Sequence, residues 1–110
     1  MKMREEKQDG VLVCCLEGEV NIANSPDLRK LFEGIIKRDE KKVLIDFQGV
    51  SYIDSSGLAT LIEMLQRLKK IGGALRFCNM DQKTKNVFEI TKLHKLFQIF
   101  DTRETACKDF

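Results

Sequence analysis

The chain has 110 residues, the length of one domain with its own core. With 43% hydrophobic and 33% charged residues it reads as an ordinary globular chain, which argues against disorder. A net charge of +2 is too small to argue for nucleic acid or an anionic membrane, and no apolar run nears the roughly 18 residues that span a bilayer.

Met1 to Asp9 is charged and lacks the apolar centre of a signal peptide, so a cytoplasmic location is expected. This stretch reads as a frayed lead-in, with a short edge strand before Gly10 as the alternative. Val11 to Leu16 is a continuous apolar run and predicts a buried strand. Cys14 and Cys15 are adjacent, so on a strand they face opposite sides. Gly18 is expected to end or bend the strand, with an extension of it through Glu19 to Ile22 toward a loop as the alternative.

Ser25-Pro26-Asp27 is a helix start: Ser25 is the expected cap, Pro26 fits the first helical position, and Asp27 suits the positive end of the dipole. Leu28, Leu31, Phe32, Ile35 and Ile36 follow the spacing of one buried face. Val43 to Phe47 predicts a central strand covered on both sides. Gln48-Gly49 is expected to turn, and a short segment then reaches Tyr52-Ile53-Asp54-Ser55-Ser56-Gly57-Leu58. A second helix is predicted from about Ser55 to Ile71, stopped by Gly72-Gly73. Ala74 to Asn79 is a third apolar strand, Asp81 to Thr91 a shorter helix, and Gln98 to Phe100 a short strand. Asp101-Thr102 can cap a last turn over Arg103 to Lys108. Strands alternating with helices predict a largely parallel sheet with right-handed crossovers.

The four thiols, Cys14, Cys15, Cys78 and Cys107, form no CxxC pattern and read as buried or idle. His94 is the only histidine, which argues against a metal site. Neither a Walker-type nor a dinucleotide-type glycine pattern is present.

The chemistry-bearing stretch is the turn at Asp54-Ser55-Ser56-Gly57. It places two hydroxyls and a carboxylate at a helix mouth, where unpaired N–H groups and the dipole favour negative charge. On a wheel with Ser56 at the origin, Leu58, Leu61, Leu65 and Leu68 fall on the far side. Thr60, Glu63, Arg67 and Lys70 fall on the water side, and Ala59 close by. Ser56 is therefore the expected exposed hydroxyl, with Ser55 or Asp54 as the cap. Three readings follow: a cap only, a nucleophile with His94 as the one available base, or a phosphoacceptor at Ser56. The nucleophile lacks the G-x-S-x-G elbow. A phosphate at Ser56 would be felt by whatever docks on Ser56, Ala59, Thr60 and Glu63.

These residues resemble the STAS domain of bacterial anti-sigma factor antagonists. The resemblance spans nearly the whole chain: Leu16-Glu17-Gly18-Glu19-Val20-Asn21 before a capped helix, then Val43 to Phe47. It continues through Val50 to Leu58 and into Gly72-Gly73 before Leu75-Arg76-Phe77. Asp54-Ser55-Ser56-Gly57-Leu58 is its specific part. It implies a single α/β STAS domain over residues 1–110. The sheet is mixed, largely parallel and four- to five-stranded, flanked by three to four helices.

The resemblance also implies a non-enzymatic partner switch. The unphosphorylated domain binds an anti-sigma factor serine kinase and so frees a sigma factor for transcription. The kinase phosphorylates the serine before the glycine, Ser56, and binding is lost; a PP2C-type phosphatase restores it. The implied docking surface is Asn21, Asn24, Asp54, Ser55, Ser56, Gly57, Ala59, Thr60 and Glu63, with no cofactor, no direct nucleic-acid contact and no membrane insertion. Many members carry Asp where this chain has Asn21. The alternative is a STAS scaffold or accessory subunit of a signalling or membrane-transport complex without a phospho-switch.

Overall fold

A computed structural model describes residues 1–110. In chain order the elements are β1 (Lys2–Gln8), β2 (Val11–Val20), α1 (Ser25–Lys37), β3 (Lys42–Ile53), α2 (Ser55–Lys70) and β4 (Ala74–Cys78). They continue with α3 (Gln82–Ile90), a 3-10 turn at Leu93–Lys95, β5 (Gln98–Phe100) and α4 (Arg103–Cys107). The five strands lie in the order β1-β2-β3-β4-β5; β1 is antiparallel to β2 and every other neighbouring pair is parallel.

Sequential parallel strands joined by right-handed crossovers must place all their helices on one face of the sheet. Leu28, Phe32 and Ile35 of α1, Leu61, Met64 and Leu68 of α2, and Phe88 of α3 accordingly join Cys14, Ile45 and Phe77 in one core. The other face is covered only by α4, whose Ala106 packs on Val11, Val13, Cys15, Leu44 and Cys78. Cys14 and Cys15 thus face opposite sides of β2, as their adjacency predicts.

Three local expectations are corrected. Residues 2–8 are not frayed: they form a full edge strand, paired from Lys2 opposite Glu17 to Gln8 opposite Val11. Backbone pairing with a buried neighbour orders a stretch whose side chains show little apolar pattern. Gln48-Gly49 does not turn; β3 runs straight through it. The β2–β3 register shifts between Cys15 and Glu17, and a Cβ on Gly49 would lie 2.9 Å from the Leu16 carbonyl oxygen. Glycine permits that close approach within the strand. Ser25 does not cap α1; it is the first helical residue and is buried, and Asn24 holds the cap position without a side-chain cap bond. The Asn24 amide oxygen is already taken by the Asn21 N–H at 2.9 Å.

One feature of β3 has no counterpart in the expectations. Asp46 is 4% exposed, pointing from the strand toward α4. Its carboxylate accepts from Arg103 Nη2 at 2.9 Å, Asn79 Nδ2 at 3.2 Å and the Gln48 N–H at 2.9 Å. Arg103 Nη1 donates to Glu6 of β1 at 2.7 Å. A single arginine therefore ties the last helix to the edge strand and to the middle of the sheet. Arg76 of β4 secures the chain end, donating to the carbonyls of Ala106, Lys108 and Asp109.

Candidate functional site

The site is built where β3 ends. Asp54 leaves the strand in an extended conformation, φ −102° and ψ −176°, and caps α2 by accepting the Gly57 N–H at 3.0 Å. Its second carboxylate oxygen accepts the Ile22 N–H at 3.0 Å, and its own N–H donates to the Val20 carbonyl at 3.0 Å. Asp54 thus joins the start of α2 to the loop after β2.

That loop is tightly bonded. Asn21 Oδ1 accepts from the Ala23 N–H at 3.0 Å and the Asn24 N–H at 3.3 Å. Asn24 Nδ2 donates to the Glu19 carbonyl at 2.8 Å. Both asparagines use their side chains to replace backbone partners, the local habit that makes this residue type favour turns. The structure therefore brings Asn21 and Asn24 beside Asp54, Ser55, Ser56 and Gly57.

The remaining candidate residues divide. Ala59 is exposed, and Glu63 is half-buried with its carboxylate on Arg29 Nε at 3.1 Å. Gly57 is buried; a Cβ there would lie 2.7 Å from Ile53 Cγ1 and 2.8 Å from Val20 Cγ1. Its role is close packing of the helix start on the strand ends. Thr60 is corrected outright: it is 1% exposed and cannot form part of a docking surface. Its hydroxyl donates back to the Ser56 carbonyl at 2.9 Å. The cause is α1, which lies against α2 and pairs its Arg29 with Glu63 on this flank. The wheel placed this flank in water because it measures apolar spacing and cannot see a neighbouring helix.

The expectation for the two serines is corrected as well: Ser55 is exposed at the first helical position, and Ser56, the expected exposed hydroxyl, is half-buried at the second. Of the two proposed caps, Asp54 fills the role and Ser55 does not. Neither serine hydroxyl is bonded to another protein group. His94 lies in the 3-10 turn after α3, with Nδ1 against the Phe88 carbonyl at 3.3 Å, and makes no hydrogen bond to Ser56.

The thiols show no sign of reactivity. All four cysteines are free, and burial pushes Cys14 and Cys78 up to about 12. No group of three or more His, Cys, Asp or Glu side chains is placed to hold a metal ion.

Sequence reasoning included the loop from Asn21 to Asn24 but did not single out Ile22, a large apolar side chain that is 74% exposed beside Asp54. The signal available was its place between two turn-forming residues, Asn21 and Asn24, where an isoleucine has no local reason to be.

Comparisons with known proteins agree on one family. Residues 2–106 match the STAS domain. BtrV of Bordetella bronchiseptica, named as an anti-sigma factor antagonist, is 32% identical over 100% of this chain and 95% of its own. A Thermotoga maritima protein of the same description superposes with a TM-score of 0.91 at 23% identity, over 97% of this chain and 92% of that one. The Bacillus cell fate determinant SpoIIAA in its phosphorylated form superposes with a TM-score of 0.72 at 20% identity, over 96% of each. At these identities the two structures speak for the fold.

Proposed function

The chain belongs to the STAS domain family of anti-sigma factor antagonists, and on that premise we propose that it is a phosphorylation-controlled binding module. In its unphosphorylated form it binds an anti-sigma factor serine kinase and so frees a sigma factor for transcription. Phosphorylation of Ser56 releases it, and a PP2C-type phosphatase resets it. It acts by binding rather than catalysis and works in the cytoplasm. No helix is long and apolar enough to cross a membrane.

The observation that carries this reading is the composite surface at Asp54. The carboxylate holds the start of α2 and the loop after β2 together, with Ser56 two residues away in the first helical turn. A phosphate adds about −1.5 to −2 charge at pH 7. At a helix N-terminus the dipole and the free N–H groups tolerate it, so the helix stays folded. The charge instead enters a surface that already holds the Asp54 carboxylate, and it changes what can dock there. That SpoIIAA has a phosphorylated form supports the same chemistry in this chain.

The test is incubation with the cognate kinase and ATP, followed by mass spectrometry of the modified peptide. Phosphate on Ser56 is expected; phosphate on Ser55, or none, overturns the site. Ser56→Ala is expected to hold the kinase permanently and Ser56→Asp to bind weakly. Equal affinities would remove the electrostatic mechanism.

A further inference from the structure

Resting on the partner-switch reading, we propose that Ile22 is the apolar anchor of the docking surface. Its side chain seats in an apolar pocket on the kinase partner, and Asp54 is the residue that positions it.

Ile22 is 74% exposed, and its backbone is not free to fold the side chain inward. Its N–H is held by Asp54 Oδ2 at 3.0 Å. On either side, the Asn21 N–H is held by Asn24 Oδ1 at 2.9 Å, and the Ala23 N–H by Asn21 Oδ1 at 3.0 Å. Three consecutive backbone donors are thus satisfied by side chains, and the loop presents the isoleucine in one fixed position. A rigid loop loses little conformational freedom on binding, which is what makes a presented apolar side chain effective as an anchor.

Single exposed apolar residues are ordinary on protein surfaces. Ile90 is such a case: it is 82% exposed at the end of α3, between Glu89 and Thr91, and no side chain of the site holds it. Ile22 differs because its position is set by the same carboxylate that caps α2. Exposed Ala23 and Ala59, and half-exposed Tyr52 two residues before Asp54, extend the apolar character around the turn. The occupant is therefore a protein surface with an apolar pocket, large enough for a branched side chain and placed beside the groups that reach Ser56. The arrangement also explains how charge at Ser56 is transmitted. A phosphate beside Asp54 repels the carboxylate that positions Ile22, so docking is lost through the anchor as well as through direct repulsion.

The experiment measures affinity for the purified cognate kinase for wild type, Ile22→Ala, Ile90→Ala and Ser56→Asp, and the KM and kcat of phosphorylation for the first three, which keep the Ser56 hydroxyl. Ile22→Ala is expected to weaken binding about tenfold or more. It should raise KM with kcat little changed, and its thermal midpoint should match wild type. Ile90→Ala is expected to behave as wild type. If Ile22→Ala binds within about twofold of wild type while Ser56→Asp is weakened, the anchor is overturned and the switch stands. If Ile22→Ala and Ile90→Ala weaken binding equally, the anchor is also overturned. If wild type neither binds the kinase nor is phosphorylated by it, both readings fall.

Discussion

Ile22 and Asp54 are 32 residues apart in the chain and share one hydrogen bond, 3.0 Å from the Ile22 N–H to Asp54 Oδ2. The other oxygen of the same carboxylate accepts from Gly57 N at 3.0 Å. One side chain therefore does two separable jobs, capping a helix and fixing a loop. Asp54→Ala removes both and is expected to cost about 1–2 kcal/mol, as for a lost cap. Asp54→Asn can keep its oxygen on Gly57 but then turns an NH2 donor toward the Ile22 N–H. It should cost less than the alanine variant and mainly loosen the loop. Amide exchange at Ile22 and Gly57 separates the two effects; equal protection at both in Asp54→Asn would show that the loop does not depend on this bond.

Gly57 and Gly34 make opposed predictions. A Cβ at Gly57 would meet Ile53 Cγ1 at 2.7 Å and Val20 Cγ1 at 2.8 Å, whereas nothing lies within 4 Å of one at Gly34. Gly57→Ala is expected to destabilise by about 1–3 kcal/mol through overpacking. Gly34→Ala, inside α1, is expected to stabilise by about 0.5–1 kcal/mol. Urea unfolding midpoints read both signs, and a stable Gly57→Ala would mean that the strand ends yield easily.

The Asp46–Arg103 pair predicts a rescue. Asp46 is 4% exposed, so losing Arg103 leaves a buried carboxylate short of its cation. Arg103→Met is expected to cost about 3–5 kcal/mol. The double variant Asp46→Leu/Arg103→Met should recover part of that loss, because it removes the orphaned charge. Losses that simply add in the double variant would show that the two residues stabilise the fold independently.

Acid should expose the contribution of Glu6. The Arg103 guanidinium, and then Arg4, hold its carboxyl below the ordinary value. A carboxyl whose folded value is depressed contributes stability above its unfolded value and loses it as pH falls through the folded one. The unfolded value is about 4.3 for glutamate. Wild type should therefore fall toward the stability of Glu6→Gln as pH drops from 7 to 3. A difference between the two proteins that stays constant with pH would remove this linkage.

How much of the site could be read from the chain depends on the range of the interaction involved. A cap at Ser55 or Asp54, the stop at Gly72-Gly73 and the buried leucines of α2 were legible, because each follows from spacing within a few residues; that Asp54 is the cap was decided by the structure. The length of β1 was not, since Met1 to Asp9 shows little alternation and is ordered by pairing with Val11 to Glu17. Asp46 is one acid in an apolar run, and nothing local names Arg103 as its partner, 57 positions away.

The sequence alone therefore settled the kind of protein: alternating apolar runs and amphipathic periods demand helices on a parallel sheet, and the turn at Asp54 to Gly57 carries the most specific part of the resemblance to the STAS family. Only the tertiary structure decided which faces remain open. Thr60 lies on the polar side of its own helix and is still buried, because α1 lies against that flank. Ile22 lies in a loop with no pattern of its own and is held in place, because Asp54 reaches across to it. A helix's period records which side faces the sheet; it holds no record of where the next helix or loop will pack, and that packing drew the boundary of the proposed docking surface.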